Sequence, residues 1–127
     1  MLTDFAGTYR FPTVPDEKVL YNRTPILNCE ALRAFLDSQP SMRGSEKGYD
    51  VATLAFDGSG SPMETALALL LSLPVEMGGY SLERPTLNWQ IPVDPMERTL
   101  ASQDEMFGDI CWPKGKVALE YDSWEQH

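Results

Sequence analysis

The chain has 127 residues, 43% hydrophobic and 23% charged, with a formal net charge of −9. That length holds one domain with a modest core and is too short for two comfortable ones. The acidity argues against a basic nucleic-acid-binding patch, because phosphate neutralisation supplies most of such affinity. No apolar run approaches the ~20 residues of a membrane span. Residues 1–20 lack the basic start and apolar stretch of a signal peptide. Cys29 and Cys111 lie too far apart for a zinc motif or a disulfide scaffold. The expected compartment is the cytoplasm, with no membrane partner.

The charge is uneven. Residues 1–60 carry six Lys/Arg against eight Asp/Glu, and residues 61–127 carry four against eleven. In chain order, residues 5–22 read as irregular or short extended structure, interrupted by Pro12 and Pro15. The run "NCEALRAFLDSQP" predicts a helix from about Cys29 to Ser38. Asn28 is its N-cap, Leu32, Phe35 and Leu36 form its apolar stripe, and Pro40 is its stop. "SEKGYDVATLAFDGSGS" predicts a second helix capped by Ser45, with Tyr49, Ala52, Ala55 and Phe56 on one side and Gly48 weakening it. Gly58 to Ser61 then breaks the chain, which divides it into a helical N-terminal segment, 1–57, and a second unit, 58–127.

"SPMETALALLLSLP" carries the strongest helix signal. Ser61 as N-cap, Pro62 at the first helical position and Glu64 at the third form a capping box. Ala66 to Leu71 is apolar nearly all round, which predicts a helix buried at the centre of the fold, ended by Pro74. Gly78-Gly79-Tyr80 reads as a turn and lacks the spacing of a phosphate loop. "TLNWQIPV" predicts a strand from about Thr86 to Ile91, and residues 93–105 an acidic loop.

The chain closes on "DICWPKGKVALEYDSWEQH", which reads as a hairpin. A two-residue turn at Lys114-Gly115, with glycine supplying a positive φ, pairs residues whose numbers sum to 229. Asp109 then opposes Glu120, Cys111 opposes Ala118 and Phe107 opposes Asp122. Ile110 and Trp112 meet Leu119 and Val117 on the other, apolar face. Like charges at roughly 5 Å are destabilising across a sheet. Such a face is either a solvated surface or a site for Mg²⁺ or Mn²⁺, hard cations that take oxygen ligands. Trp112 and Tyr121 read as packing residues, and Cys111 as a small filler on the acidic face.

The stretch "GDICWPKGKVALEYDSWEQH" resembles the central motif of the Vsr-like endonucleases, within the restriction-endonuclease-like (PD-(D/E)xK) superfamily. The matching features are Asp109, the aromatic-Pro turn Trp112-Pro113, Glu120-Tyr121-Asp122 at the end of a hydrophobic strand, and His127. "GSGSPMETALALLLSLPVEMGGYSLERPTLNWQI" is similar to the Ser-Pro-Met-Glu helix that opens the nuclease core in bacterial proteins of this kind, some of which occur beside AbiEi-type toxin–antitoxin components. "FAGTYR" is similar to the segment preceding that core.

The resemblance implies an α/β (α+β) fold: a restriction-endonuclease-like core with a small, mainly antiparallel sheet and a buried helix, preceded by a helical segment. It implies Mg²⁺ (or Mn²⁺) held by Glu64, Asp109 and Glu120, with Glu120, Asp122 and His127 as the catalytic set and DNA as substrate. Asp122 stands where the superfamily usually has Lys. Lys116 is about 13 Å along the strand from Glu120 at ~3.3 Å per residue, too far to replace it; Vsr-like members often lack the Lys and use His instead, so the resemblance implies His127 as the base. A full core of this type has another helix and strand after the hairpin, so the chain reads as a partial core. The alternative function is a non-catalytic regulatory or interaction domain of toxin–antitoxin type that keeps the fold.

Overall fold

The computed structural model describes residues 5–94 and 105–122. Over these residues the protein is a small α+β fold of three α-helices and a three-stranded antiparallel sheet. The N-terminal stretch is irregular, as expected. Its one bridge pairs Arg10 with Leu20, each backbone N–H donating to the other's carbonyl at 2.8 and 3.0 Å.

Helix α1 spans Cys29–Ser38, and the Asn28 side chain accepts the Ala31 N–H at 2.7 Å. Helix α2 spans Ser45–Leu54. The expected Ser45 cap is corrected here: Gly44 holds the N-cap position with φ 87°, a left-handed turn that glycine adopts without strain. Ser45 becomes the first helical residue, and its hydroxyl donates back to the Pro40 carbonyl at 3.2 Å. Gly48, unfavourable for helix propensity, has a packing reason. A Cβ there would stand 3.2 Å from a Leu36 methyl, so glycine allows α1 and α2 to approach closely. Tyr49 is exposed, while Ala52, Ala55 and Phe56 are buried.

Helix α3 spans Pro62–Ser72, with the Ser61 hydroxyl accepting the Glu64 N–H at 3.2 Å. Its predicted burial is not observed. Glu64, Thr65 and Ala68 are buried, but Met63 and Leu70 are 51% and 45% exposed and Ala66 is exposed too. A three-stranded sheet offers one helix only one surface, and Ala68 with Leu67 and Leu69 occupies it, while Thr65 turns to Tyr9 and Ser59. After α3 the chain makes a 3₁₀ turn, Val75–Met77, and doubles back. The N–H groups of Tyr80, Ser81 and Leu82 donate to the carbonyls of Leu70, Leu73 and Leu71. The helix therefore ends with its orphan acceptors satisfied.

The sheet order is β1-β2-β3, from Thr86–Ile91, Met106–Trp112 and Val117–Leu119. β2 pairs with β3 as Ile110↔Leu119, Cys111↔Ala118 and Trp112↔Val117, the register read from the sequence. The turn differs from expectation. Pro113–Gly115 is a 3₁₀ turn, and Lys116, not Gly115, takes the left-handed conformation with φ 52°. The Lys116 N–H closes the turn on the Pro113 carbonyl at 3.2 Å, so the register survives the change of turn type.

Phe56, Ala68, Leu87 and Ile110 form the main core, joined by Leu67, Leu69, Trp112 and Leu119. Val117, expected in that layer, is 52% exposed. A second cluster of Ala6, Cys29 and Ala55 lies under the N-terminal stretch. Several bonds join residues before and after position 57. Thr8 N–H donates to the Ser59 carbonyl and Gly58 N–H to the Ala6 carbonyl. The buried Tyr9 hydroxyl bonds Thr65 Oγ1 at 3.0 Å. Arg84 reaches the Leu54 and Ala55 carbonyls at the end of α2 and covers the Phe56 ring at 3.9 Å.

Candidate functional site

Glu64 enters the site from the first turn of α3. As the third helical residue it was expected to bond the N-cap N–H. Its Oε2 instead accepts the N–H of Gly60, one residue earlier, at 2.9 Å. The side chain is 8% exposed. Burial pushes its carboxyl above the ordinary value of 4.5, the bonds from Gly60 and Ser61 pull the other way, and the charges of Asp109 and Glu120 push it up further. Asp109 of β2 and Glu120, just past β3, thus both bear on Glu64 of α3.

The Asp109–Glu120 pairing differs in detail from the drawn ladder. Regular pairing stops at Ile110↔Leu119. Beyond it the half-buried Asp109 accepts the Tyr121 backbone N–H through Oδ2 at 2.7 Å, so a side chain holds the strand end. Phe107 pairs with Gln90 of β1, not with Asp122. Glu120 and Asp122 are exposed. His127, the expected base, lies outside the described residues.

Cys111 is buried, and its thiol is pushed up first by burial, then by Glu120 and Asp109, with the Trp89 backbone acting against them. It therefore stays a protonated thiol beside the carboxylates. Gly108 makes room for it: a Cβ there would collide with the Cys111 sulfur and stand 3.5 Å from Glu120 Oε1. A cavity of about 440 Å³ opens beside Cys111, lined by Trp89, Ile91, Pro113 and Lys116. A second, of about 460 Å³, lies away from the carboxylates between α1 and α2. Trp112 acts as a packing residue whose indole N–H donates to the Glu83 carbonyl at 2.6 Å.

Sequence reasoning missed Asn88. The β1–β2 pairs Leu87↔Ile110 and Trp89↔Gly108 leave it facing Asp109, outside the paired positions. Its φ is 47°, a left-handed conformation inside a strand. Its Nδ2 donates to the Gly58 carbonyl. The available signal was an asparagine, poor in strands and tolerant of positive φ, within an otherwise β-forming run.

Among the described residues no group of three or more His, Cys, Asp or Glu is arranged as a ready metal site. No described helix is long and apolar enough to cross a membrane. Comparison with family models, curated proteins and solved structures finds no match to this chain.

Proposed function

We propose that the chain is a restriction-endonuclease-like domain of the Vsr-like kind, acting on DNA phosphodiester bonds with Mg²⁺ or Mn²⁺. The observation that carries the reading is the gathering of Asp109 and Glu120 at one strand end, where Asp109 Oδ2 accepts the N–H of Tyr121, the residue after Glu120, at 2.7 Å, with both charges pushing the Glu64 carboxyl up. These three carboxylates are the residues that the resemblance implies as ligands. Mg²⁺ is commonly held by one or two carboxylates with water completing its shell, so Asp109 and Glu120 suffice as protein ligands. The donor set fits a hard cation: carboxylate oxygens are present, and the neighbouring Cys111 thiol is held protonated.

When bound, the ion would supply charge neutralisation at the phosphate and a water of lowered pKa. The chain's own residues do the rest. Asp109, anchored by the Tyr121 N–H, and Glu120 would hold the cation. Glu64, whose carboxylate the Gly60 N–H holds at 2.9 Å, would be the third ligand. Asp122 and His127 complete the proposed catalytic set.

Plasmid nicking in Mg²⁺ or Mn²⁺ tests the reading, with Asp109→Ala as the matched control. Metal-dependent nicking by the wild type, abolished in Asp109→Ala, supports it. Nicking that survives Asp109→Ala, or no nicking by the wild type, refutes it.

A second reading is favoured by a separate observation. Met63, Leu70, Val75 and Met77 are exposed on α3 and the turn after it, an apolar surface suited to a protein partner. A non-catalytic interaction domain of toxin–antitoxin type would retain the fold without turnover.

A further inference from the structure

We propose that Asn88 is a positioning residue that sets where the Glu64 carboxylate stands. The inference rests on the proposed function for its relevance to metal binding, but its structural half is testable without metal.

Three observations converge on Asn88. Its backbone is left-handed in mid-strand, a conformation unfavourable for a residue with a side chain that persists only where the surroundings hold it. It faces Asp109 at the one gap within the β1–β2 register. Its side-chain N–H donates to the Gly58 carbonyl. Gly58 is two residues before Gly60, whose N–H holds Glu64 Oε2 at 2.9 Å.

The distances around Gly60 close the chain of contacts. A Cβ built on Gly60 would lie 3.1 and 3.2 Å from the two Glu64 carboxylate oxygens and 3.3 Å from Asn88 Nδ2. The Asn88 amide and the Glu64 carboxylate thus crowd the same side of Gly60, and a Cβ there would require one or both to shift by a few tenths of an ångström. Asn88 ties the Gly58–Ser61 segment to the sheet, that segment presents the Gly60 N–H, and the N–H fixes the Glu64 carboxylate at the start of α3. A carboxylate oriented by a supported donor is what precise metal or proton chemistry requires.

Two variants test this. Asn88→Gly keeps the positive φ without strain and deletes the amide. Asn88→Asp keeps the shape and the tolerance of positive φ but replaces the donor with an acceptor. In metal-free protein, amide hydrogen exchange at Gly60 should accelerate at least ten-fold in both. Exchange at Leu73 and Ala55, whose N–H groups close the ends of α3 and α2, should be unchanged. Unchanged exchange at Gly60 in both variants overturns the proposal.

The second readout is calorimetric titration with Mn²⁺. Asn88→Gly should weaken binding at least ten-fold, and adding Glu64→Gln to it should cost little more, because Asn88 acts through Glu64. Additive losses, or wild-type affinity in Asn88→Gly, overturn the proposal. If the wild type itself binds no Mn²⁺, the proposed function fails and the exchange measurement alone decides the role of Asn88.

Discussion

Glu64 shows how one side chain serves both a helix end and a charge cluster. Its carboxylate satisfies the Gly60 N–H, yet burial and two neighbouring carboxylates raise its pKa. A carboxyl that binds its proton more tightly when folded contributes stability at low pH, and that contribution is lost as pH rises from 4.5 through the raised folded value. Glutamine keeps the capping geometry and removes the charge. Glu64→Gln should therefore be at least as stable as the metal-free wild type at pH 7, with its advantage shrinking toward pH 4. Urea denaturation of both proteins across that range measures it. A Glu64→Gln protein less stable at pH 7 than at pH 4, relative to wild type, contradicts the sign. Gly79 makes a second prediction at this scale, because a Cβ there would run into the Leu73 carbonyl. Gly79→Ala should lower the melting temperature clearly, since backbone cannot yield as a flexible side chain can.

Elements were legible wherever local chemistry fixed them. Asn28 and Ser61 act as caps at the predicted places, and β1 spans the predicted Thr86–Ile91. The β2–β3 register was readable because a shift by one residue would bury the carboxylates and expose Ile110. Three features were not legible. Gly44 replaces Ser45 as cap because the path between helices needs a left-handed residue, which a capping pattern does not reveal. The exposed face of α3 reflects how little sheet there is to cover it. Lys116 takes the positive φ because the 3₁₀ turn moves that position one residue past Gly115. Two melts probe these elements. Ser61→Ala should cost about 1 kcal/mol through the lost cap. Lys116→Gly should gain up to roughly 1 kcal/mol by relieving the left-handed strain.

For the whole molecule, the sequence pointed to Glu64, Asp109 and Glu120; in the fold the latter two push the Glu64 carboxyl up, while no group of three or more metal-type side chains is assembled among the described residues. What supports them was hidden. The Asn88 kink, the Gly60 donor and the Tyr121 N–H on Asp109 depend on contacts between distant segments. The charge balance also matters at this scale. A net −9 protein repels phosphate, so any action on DNA depends on bound cation, and nicking should fall to background on adding a chelator.

The proposed cation site at the carboxylates around the β2–β3 hairpin is decided by thermal melts with and without saturating Mn²⁺. Asp109→Asn keeps an oxygen to accept the Tyr121 N–H while removing one of the mutually repelling charges. Cross-strand charge effects of roughly 0.2–1 kcal/mol predict a metal-free mutant slightly more stable than wild type. The same change removes a ligand, so the mutant should lose most of the stabilisation that Mn²⁺ gives the wild type. These shifts have opposite signs, which neither a solvated acidic face nor general damage produces. A wild type that Mn²⁺ does not stabilise, or an Asp109→Asn protein that keeps the full Mn²⁺ shift, would contradict the account.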